Sequence, residues 1–259
     1  MSNEKLESGL IDSLQHIKNE IESEGYSIIN NIFSNKEIER LLLIIENSET
    51  NKPTFRITDD LFAIRQFFKE VPDSIEIVFN EKLRSIISNL FGKDYFVVKS
   101  IYFDKPEKSN WFVAYHQDLT ISVDKKIDIK DFGPWTVKQN QFSVQPPLKI
   151  LEENFTIRIH LDETNDENGA LKVLPKSHLS GICRLDSMSF KKENEKVCDV
   201  KKGGIMIMKP LLFHASGRTT NNHKRRVIHI EFGKSLLPAD LKWSEYLEIK
   251  SQTFITKKD

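Results

Sequence analysis

In an extended segment, side chains two apart point to the same face. The stretch Tyr115-His116-Gln117-Asp118-Leu119 therefore brings the imidazole of His116 and the carboxylate of Asp118 toward one point. One histidine and one carboxylate hold a metal weakly, so a third ligand is needed. His214, shortly after the apolar run Ile205-Met206-Ile207-Met208, supplies it if the fold makes the two regions neighbours. Two histidines and a carboxylate on one face of a metal, with other positions open, are the ligand set of non-haem Fe(II) oxygenases. The same ligands would serve a zinc hydrolase, or persist as a relic in a non-catalytic jelly-roll binding module. The residues alone leave all three open.

The chain has seven histidines. His16 falls on an expected helix and His223 in a polar turn. His160 and His229 lie in expected strands. His160-Leu161-Asp162 is a second HxD pattern and the runner-up for the metal site, while His229 is left unpaired in this reading.

These residues need strands to position them. Phe155 to Asp162 is the most informative one: Phe155, Ile157, Ile159 and Leu161 form an apolar face, and Thr156, Arg158, His160 and Asp162 a polar face. In a barrel that encloses a site, the polar face lines the cavity. Arg158 there is a candidate clamp for a substrate carboxylate, against the plainer expectation of a salt bridge to Asp162 or Glu231. Further strands are expected over Tyr95–Phe103, Trp111–His116, Ala170–Leu174, Ile205–Met208 and Arg225–Phe232. Between Asp124 and Glu153 lies a long segment of little periodicity, expected to be a lid facing the substrate. Residues Gly181–Lys202 read as loop. Trp111 and Trp135 are candidates for the pocket wall, although a buried tryptophan is more often core. Gln117 points away from the two ligands and reads as structural.

The N-terminal third has a different period. Leu10, Ile11, Leu14, Ile17 and Ile21 recur at helical spacing, and Gly25 stops the helix. Tyr26–Ile29 reads as a short strand. Ser34-Asn35-Lys36-Glu37 is a capping box opening a second helix, Asn47–Arg56 reads as a loop, and a third helix is expected from Asp73 to Leu90. The expected fold is mainly β: a double-stranded β-helix (jelly roll) core with N-terminal α-helices packed outside the major sheet. As one domain it divides into a helical buttress over 1–94, a core over 95–235 with its lid at 124–153, and a C-terminal extension over 236–259.

Composition narrows the function classes. The 38 basic and 38 acidic side chains balance, which gives no reason to expect nucleic acid or an anionic membrane as partner. No segment is long and apolar enough to span a bilayer, and Met1–Glu7 lacks the apolar core of a signal peptide. Cys183 and Cys198 have no CxxC partners, consistent with a reducing cytoplasm. The 17 Phe are ample for a core.

Several motifs in order resemble the phytanoyl-CoA dioxygenase family of Fe(II)/2-oxoglutarate oxygenases. They are Trp111 to Asp118 with its HQD; Asn168-Gly169-Ala170-Leu171-Lys172-Val173-Leu174-Pro175-Lys176-Ser177-His178, similar to the family's NGPLxVLPGSH; and His214-Ala215-Ser216 followed by Arg225-Arg226. Lys176 stands where the family usually has Gly. The resemblance implies His116, Asp118 and His214 as iron ligands, with 2-oxoglutarate and O2 as cosubstrates. It implies Arg225 as partner of the distal carboxylate of 2-oxoglutarate, which a guanidinium binds through two parallel hydrogen bonds. Ser216 is implied to touch the same cosubstrate, and Thr156 is counted with that site. Arg226 is the rival on the other face of the strand. Halogenating relatives replace the carboxylate ligand with a small residue, so Asp118 implies oxygen insertion. The implied reaction is hydroxylation of a small molecule, a free amino acid or natural-product intermediate, with release of succinate and CO2.

Overall fold

The strand Phe155–His160 is buried along its whole length, so both of its faces are covered, the apolar one by helices and the polar one by a second sheet. The computed structural model describes residues 3–49, 52–138, 141–184 and 192–249. Part of the expected loop at Gly181–Lys202, residues 185–191, lies outside them, as do the side chains of Leu10 and Ile11.

In chain order the strands are β1 (Tyr26–Ile29), β2 (Phe55–Thr58), β3 (Leu61–Arg65), β4 (Phe96–Lys105), β5 (Val113–His116), β6 (Ile121–Val123), β7 (Trp135–Lys138), β8 (Gln141–Val144), β9 (Phe155–His160), β10 (Leu171–Val173), β11 (Lys196–Val197), β12 (Ile205–Met208), β13 (His214–Ser216), β14 (Arg225–Gly233) and β15 (Leu247–Glu248). The helices are α1 (Asn3–Glu24), α2 (Asn35–Glu46), α3 (Phe67–Glu70), α4 (Ile75–Val78), α5 (Glu81–Leu90) and α6 (Leu148–Glu153).

The major sheet runs β1-β12-β9-β14-β4-β3-β2, with β15 also on β4; the minor sheet runs β11-β10-β13-β5. All these pairings are antiparallel. The result is a jelly roll. On the outer face of the major sheet, Ile157, Ile159, Ile205, Ile207, Ile228, Ile230 and Phe232 pack with Ile38, Leu41 and Ile45 of α2 and Leu83, Ile87 and Leu90 of α5. Each fully buried side chain of this size stabilises by roughly 1.5–3 kcal/mol, so this layer is a main anchor of the fold. Phe91, Phe155 and Phe232 stack in a row, with ring centroids 3.6 and 4.7 Å apart. Between the two sheets, Met206 and Met208 of β12 meet Leu171, Val173 and Leu212. That apolar contact closes one side of the roll and leaves the other to polar groups.

Several elements differ from the sequence expectation. The helix expected over 73–90 is broken: α4 stops at Val78, and Asn80 turns extended to cap α5, accepting from the Leu83 amide at 2.9 Å. Turning there buries Phe79 against Phe68 and Phe232. The short strand expected at Tyr26–Ile29 is β1, but the 1–94 region also adds β2 and β3 to the major sheet, and part of the loop expected at Asn47–Arg56 is strand β2. The segment 124–153 holds β7, β8 and α6, and with β6 it forms a separate three-stranded sheet in the order β6-β8-β7. Among the described residues, no helix is long and apolar enough to cross a membrane.

Two turns in the motif region carry positive φ. Gly169 has φ +81°, and a Cβ there would stand 2.7 Å from both the Gly217 carbonyl oxygen and the Lys105 Nζ. Only glycine lets those groups approach. Lys176 adopts φ +69°, the conformation that suits the family's Gly, and its ammonium lies 3.4 Å from Glu24 at the end of α1.

Candidate metal centre

The chain places His116 at the last residue of β5 and His214 at the first residue of β13, as direct partners across the minor sheet. Their rings lie 4.2 Å apart by centroid. Asp118 is just past the strand end, its amide bonded to the Pro210 carbonyl at 2.9 Å, which turns its carboxylate back toward both rings. One Asp118 oxygen is 3.7 Å from His116 Nε2, the other 3.8 Å from His214 Nε2.

The ring nitrogens have fixed roles. His116 Nδ1 donates to the Ala114 carbonyl at 2.8 Å, and His214 Nδ1 donates to the Leu212 carbonyl at 2.9 Å. A carbonyl only accepts, so each Nδ1 carries a proton and each Nε2, turned toward Asp118, is the nitrogen placed to coordinate. Burial pushes His214 down to about 4, against the pull of Asp118, so its imidazole is neutral near pH 7. Burial raises Asp118, but the neighbouring His214, His229, Lys99 and His116 outweigh it and hold the carboxyl below the usual carboxylate range. Asp118 Oδ2 is buried with no hydrogen-bond partner. Two imidazole Nε2 atoms facing an ionised carboxylate with a buried, unpartnered oxygen are a donor set that a divalent metal fits.

A second group, Asp118, His229 and Glu231, also lies within 4.8 Å. It does not offer the same ligands. Arg158 Nη1 sits 2.9 Å from His229 Nδ1, and a guanidinium only donates, so that lone pair is taken. His229 Nε2 then carries the proton and donates to Glu231 at 3.1 Å. Glu231 also accepts from Lys99 at 2.7 Å. Arg158–His229–Glu231–Lys99 is thus a buried polar ladder under the metal centre. The sequence signal for its His229–Glu231 part was alternation along one strand, since His229-Ile230-Glu231 has the same two-residue spacing as His116 and Asp118.

Further along the inward faces of the strands the groups are positively charged. Arg225 is buried, and its Nε and Nη1 have no partner; the same holds for Ser216 Oγ. Burial, then the charge of Arg158, pushes Arg225 down to about 9. Arg226 faces the opposite side, where it grips Asp162 through two bonds of 2.9 and 2.8 Å. That also removes Asp162 from the runner-up metal site; His160 bonds Thr164 at 2.7 Å instead. Lys105 pairs with Arg225 across β4 and β14, is fully buried, and donates to the Gly217 carbonyl. Burial and Arg225 push it down to about 7. Lys105 was missed because the expected strand stopped at Phe103; one more alternating step, Lys99-Ile101-Phe103-Lys105, would have found it.

Arg158 reaches neither Asp162 nor Glu231, the salt-bridge partners considered for it, but is held by His229, with Nε still open. Thr156 is buried opposite Glu231 and Met208, about 20 Å along the strands from Arg225 at roughly 3.3 Å per residue. The structure does not bring those two together. Trp111 stands over Lys105, 5.8 Å from the ammonium. Trp135 packs instead into the apolar cluster of the flap. Gln117, as its alternation predicts, points away and bonds the carbonyls of Gly181 and Leu211.

Fold and site together define a jelly-roll protein with a two-histidine, one-carboxylate centre. The family model for phytanoyl-CoA dioxygenase matches residues 21–227, and the chain belongs to that family. Solved structures of similar fold include the non-haem α-ketoglutarate-dependent carbocyclase SnoK from nogalamycin biosynthesis, 16% identical with TM-score 0.62, covering 85% of this chain and 83% of that one. The epimerase SnoN, in complex with Fe3+, α-ketoglutarate and nogalamycin RO, is 11% identical with TM-score 0.62, covering 86% and 84%. EctD from S. alaskensis is 15% identical with TM-score 0.63, covering 83% and 75%. No curated protein matches the sequence.

Proposed function

We propose that the chain is an Fe(II)- and 2-oxoglutarate-dependent dioxygenase that hydroxylates an unactivated C–H bond of a small molecule, releasing succinate and CO2. The observation that carries this is the pairing of two features on the inward faces of the two sheets. Three convergent donors have their lone pairs free, and a buried guanidinium and hydroxyl at the far end have nothing to bind. His116, Asp118 and His214 would hold the metal. Arg225, Ser216 and Lys105 would receive the distal carboxylate of 2-oxoglutarate, for which a buried fork of donors and a second cation are suited. When bound, iron and 2-oxoglutarate supply the activation of O2.

The chain's own groups bind and orient. The Ala114 and Leu212 carbonyls fix both ligand rings in the tautomer that coordinates. The ladder from Arg158 to Lys99 balances charge beneath Asp118 and keeps it ionised. The apolar contact of Met206 and Met208 with Leu171 and Val173 excludes water from one side. A zinc hydrolase would leave Arg225, Lys105 and Ser216 without a task. The solved structures of similar fold include a carbocyclase and an epimerase, so hydroxylation rests on the intact carboxylate ligand rather than on them. A free amino acid or natural-product intermediate is the substrate this reading favours.

Asp118→Ala should abolish oxygen-dependent succinate formation while leaving the circular-dichroism spectrum unchanged. Retained turnover in that variant would remove Asp118 from the ligand set.

A further inference from the structure

We infer that Arg158 anchors the substrate by a carboxylate, which makes the substrate a small organic acid. This rests on the oxygenase reading above and deepens it. Arg158 stands on the inward face of β9, level with Met206 of β12 and His229 of β14. Its Nη1 is 2.9 Å from His229 Nδ1, and a ring nitrogen of His229 lies within 4.8 Å of an Asp118 oxygen. One imidazole therefore separates the guanidinium from the metal centre. Arg225 is four residues (229 − 225) from His229 on the same strand, about 13 Å along it at roughly 3.3 Å per residue. The two arginines thus serve different places, Arg158 beside the metal centre and Arg225 beyond it.

The free edge of Arg158 is the one that takes a carboxylate. Arg226 shows the geometry in this chain: its Nε and Nη2 bond the two oxygens of Asp162 at 2.9 and 2.8 Å. In Arg158 the same edge is unoccupied. Nε is buried without a partner, and among the described residues the only hydrogen bond of the guanidinium is that of Nη1. The residue is 7% exposed, so bulk water does not take the partner's place. A buried guanidinium edge in that state is costly, and two parallel charge-assisted bonds from one carboxylate satisfy it. An amide or an alcohol presents a single acceptor oxygen and no charge.

Charge makes the same demand. Burial pushes Arg158 down to about 10, against the pull of Asp118 and Cys198, so it is cationic near pH 7. Burial pushes the Cys198 thiol up to about 12, which leaves it neutral and leaves Asp118 as the anion that acts on Arg158. Glu231 is paired with Lys99 at 2.7 Å and Asp162 with Arg226 at 2.8 Å. Once Asp118 ligates a divalent metal, its charge is matched there, and the distal carboxylate of 2-oxoglutarate is matched by Arg225. Arg158 is then a buried cation without a counter-ion, a costly state that a substrate carboxylate relieves.

The test uses protein loaded anaerobically with Fe(II) and 2-oxoglutarate, titrated with propanoate and L-alanine, and with propanamide as the neutral match. Binding is read by calorimetry and from the change in the visible band of the chelate. At least one acid should bind saturably, about tenfold tighter than the amide. Arg158→Met should weaken that binding by about tenfold or more, and Arg158→Lys, which keeps the charge without the fork, by less. The affinity for 2-oxoglutarate should change by about threefold or less in Arg158→Met. No saturable binding of either acid, acids that bind no better than the amide, or acids that bind Arg158→Met as well as wild type would overturn the proposal. So would a loss of 2-oxoglutarate affinity in Arg158→Met as large as in Arg225→Ala, which would move Arg158 to the cosubstrate. If Arg158→Met does not fold, the comparison of acid with amide in wild type and in Arg158→Lys decides. Failure of the band to form in wild type sinks the oxygenase reading, and the substrate proposal with it.

Discussion

At the scale of single residues, Arg225 and Arg226 are adjacent yet do opposite things. Arg226 is satisfied by Asp162 in a fork of two hydrogen bonds, while Arg225 is buried with two nitrogens unpartnered. A guanidinium in that state is costly unless a ligand completes it. Arg225→Ala should weaken 2-oxoglutarate binding by about a hundredfold, the loss of two charge-assisted hydrogen bonds. Arg226→Ala should leave that binding near wild type and lower the melting temperature instead. The reverse pattern would move the carboxylate site to Arg226. Lys105 adds a pH dependence. Burial and Arg225 lower it to about 7 in the free protein, and a bound carboxylate would raise it again. Binding then takes up a proton above pH 7, so 2-oxoglutarate affinity should be full below pH 7. It should fall toward pH 9 by about tenfold per unit. Lys105→Met should flatten that profile in calorimetric titrations, and a profile unchanged by the substitution would exclude Lys105.

At the scale of elements, the motif turn at Gly169 links the minor sheet to the charged end of the cavity. Gly169→Ala combines an unfavourable φ with a 2.7 Å approach to Gly217 and Lys105. A loss of about 2 kcal/mol or more is expected, or about 5 °C or more in melting temperature for a chain of this size; a shift under a degree would show that the turn relaxes freely. How much of this was legible follows from periodicity. The strand at Phe155 announces both its faces, because β-alternation survives burial on both sides when one side is a cavity. The capping box at Ser34 and the stop at Gly25 are local chemistry and appear as expected, with Ser34 accepting from Glu37 and Gly25 closing onto Ile21. The break at Asn80 was hidden, because its asparagine sits inside an apolar pattern that continues on either side. The hairpins β2–β3 and β7–β8 were hidden too, since half-exposed strands such as Phe-Arg-Ile-Thr carry little apolar contrast. At the site, HxD and His214 were legible from type and spacing. The ladder of Arg158, His229, Glu231 and Lys99 depends on cross-strand register between β9, β14 and β4, which no single stretch of sequence encodes.

At the scale of the molecule, three layers divide the work. Helices α2 and α5 pack on the major sheet through an apolar core. The two sheets touch through methionines and leucines on one side and diverge around polar groups on the other. The candidate metal centre sits between a cation-rich end, with Arg225 and Lys105, and the polar ladder that ends at Lys99. Such an arrangement suits a metal with an anion beyond it. The most direct measurement is an anaerobic titration of metal-free protein with Fe(II) and then 2-oxoglutarate, following the visible charge-transfer band of the chelate. The account predicts a band that needs both additions, saturates at about one equivalent of each, and is lost in Asp118→Ala. A folded protein that binds no Fe(II), or binds it without forming the band, would contradict it and favour a binding module or a zinc enzyme.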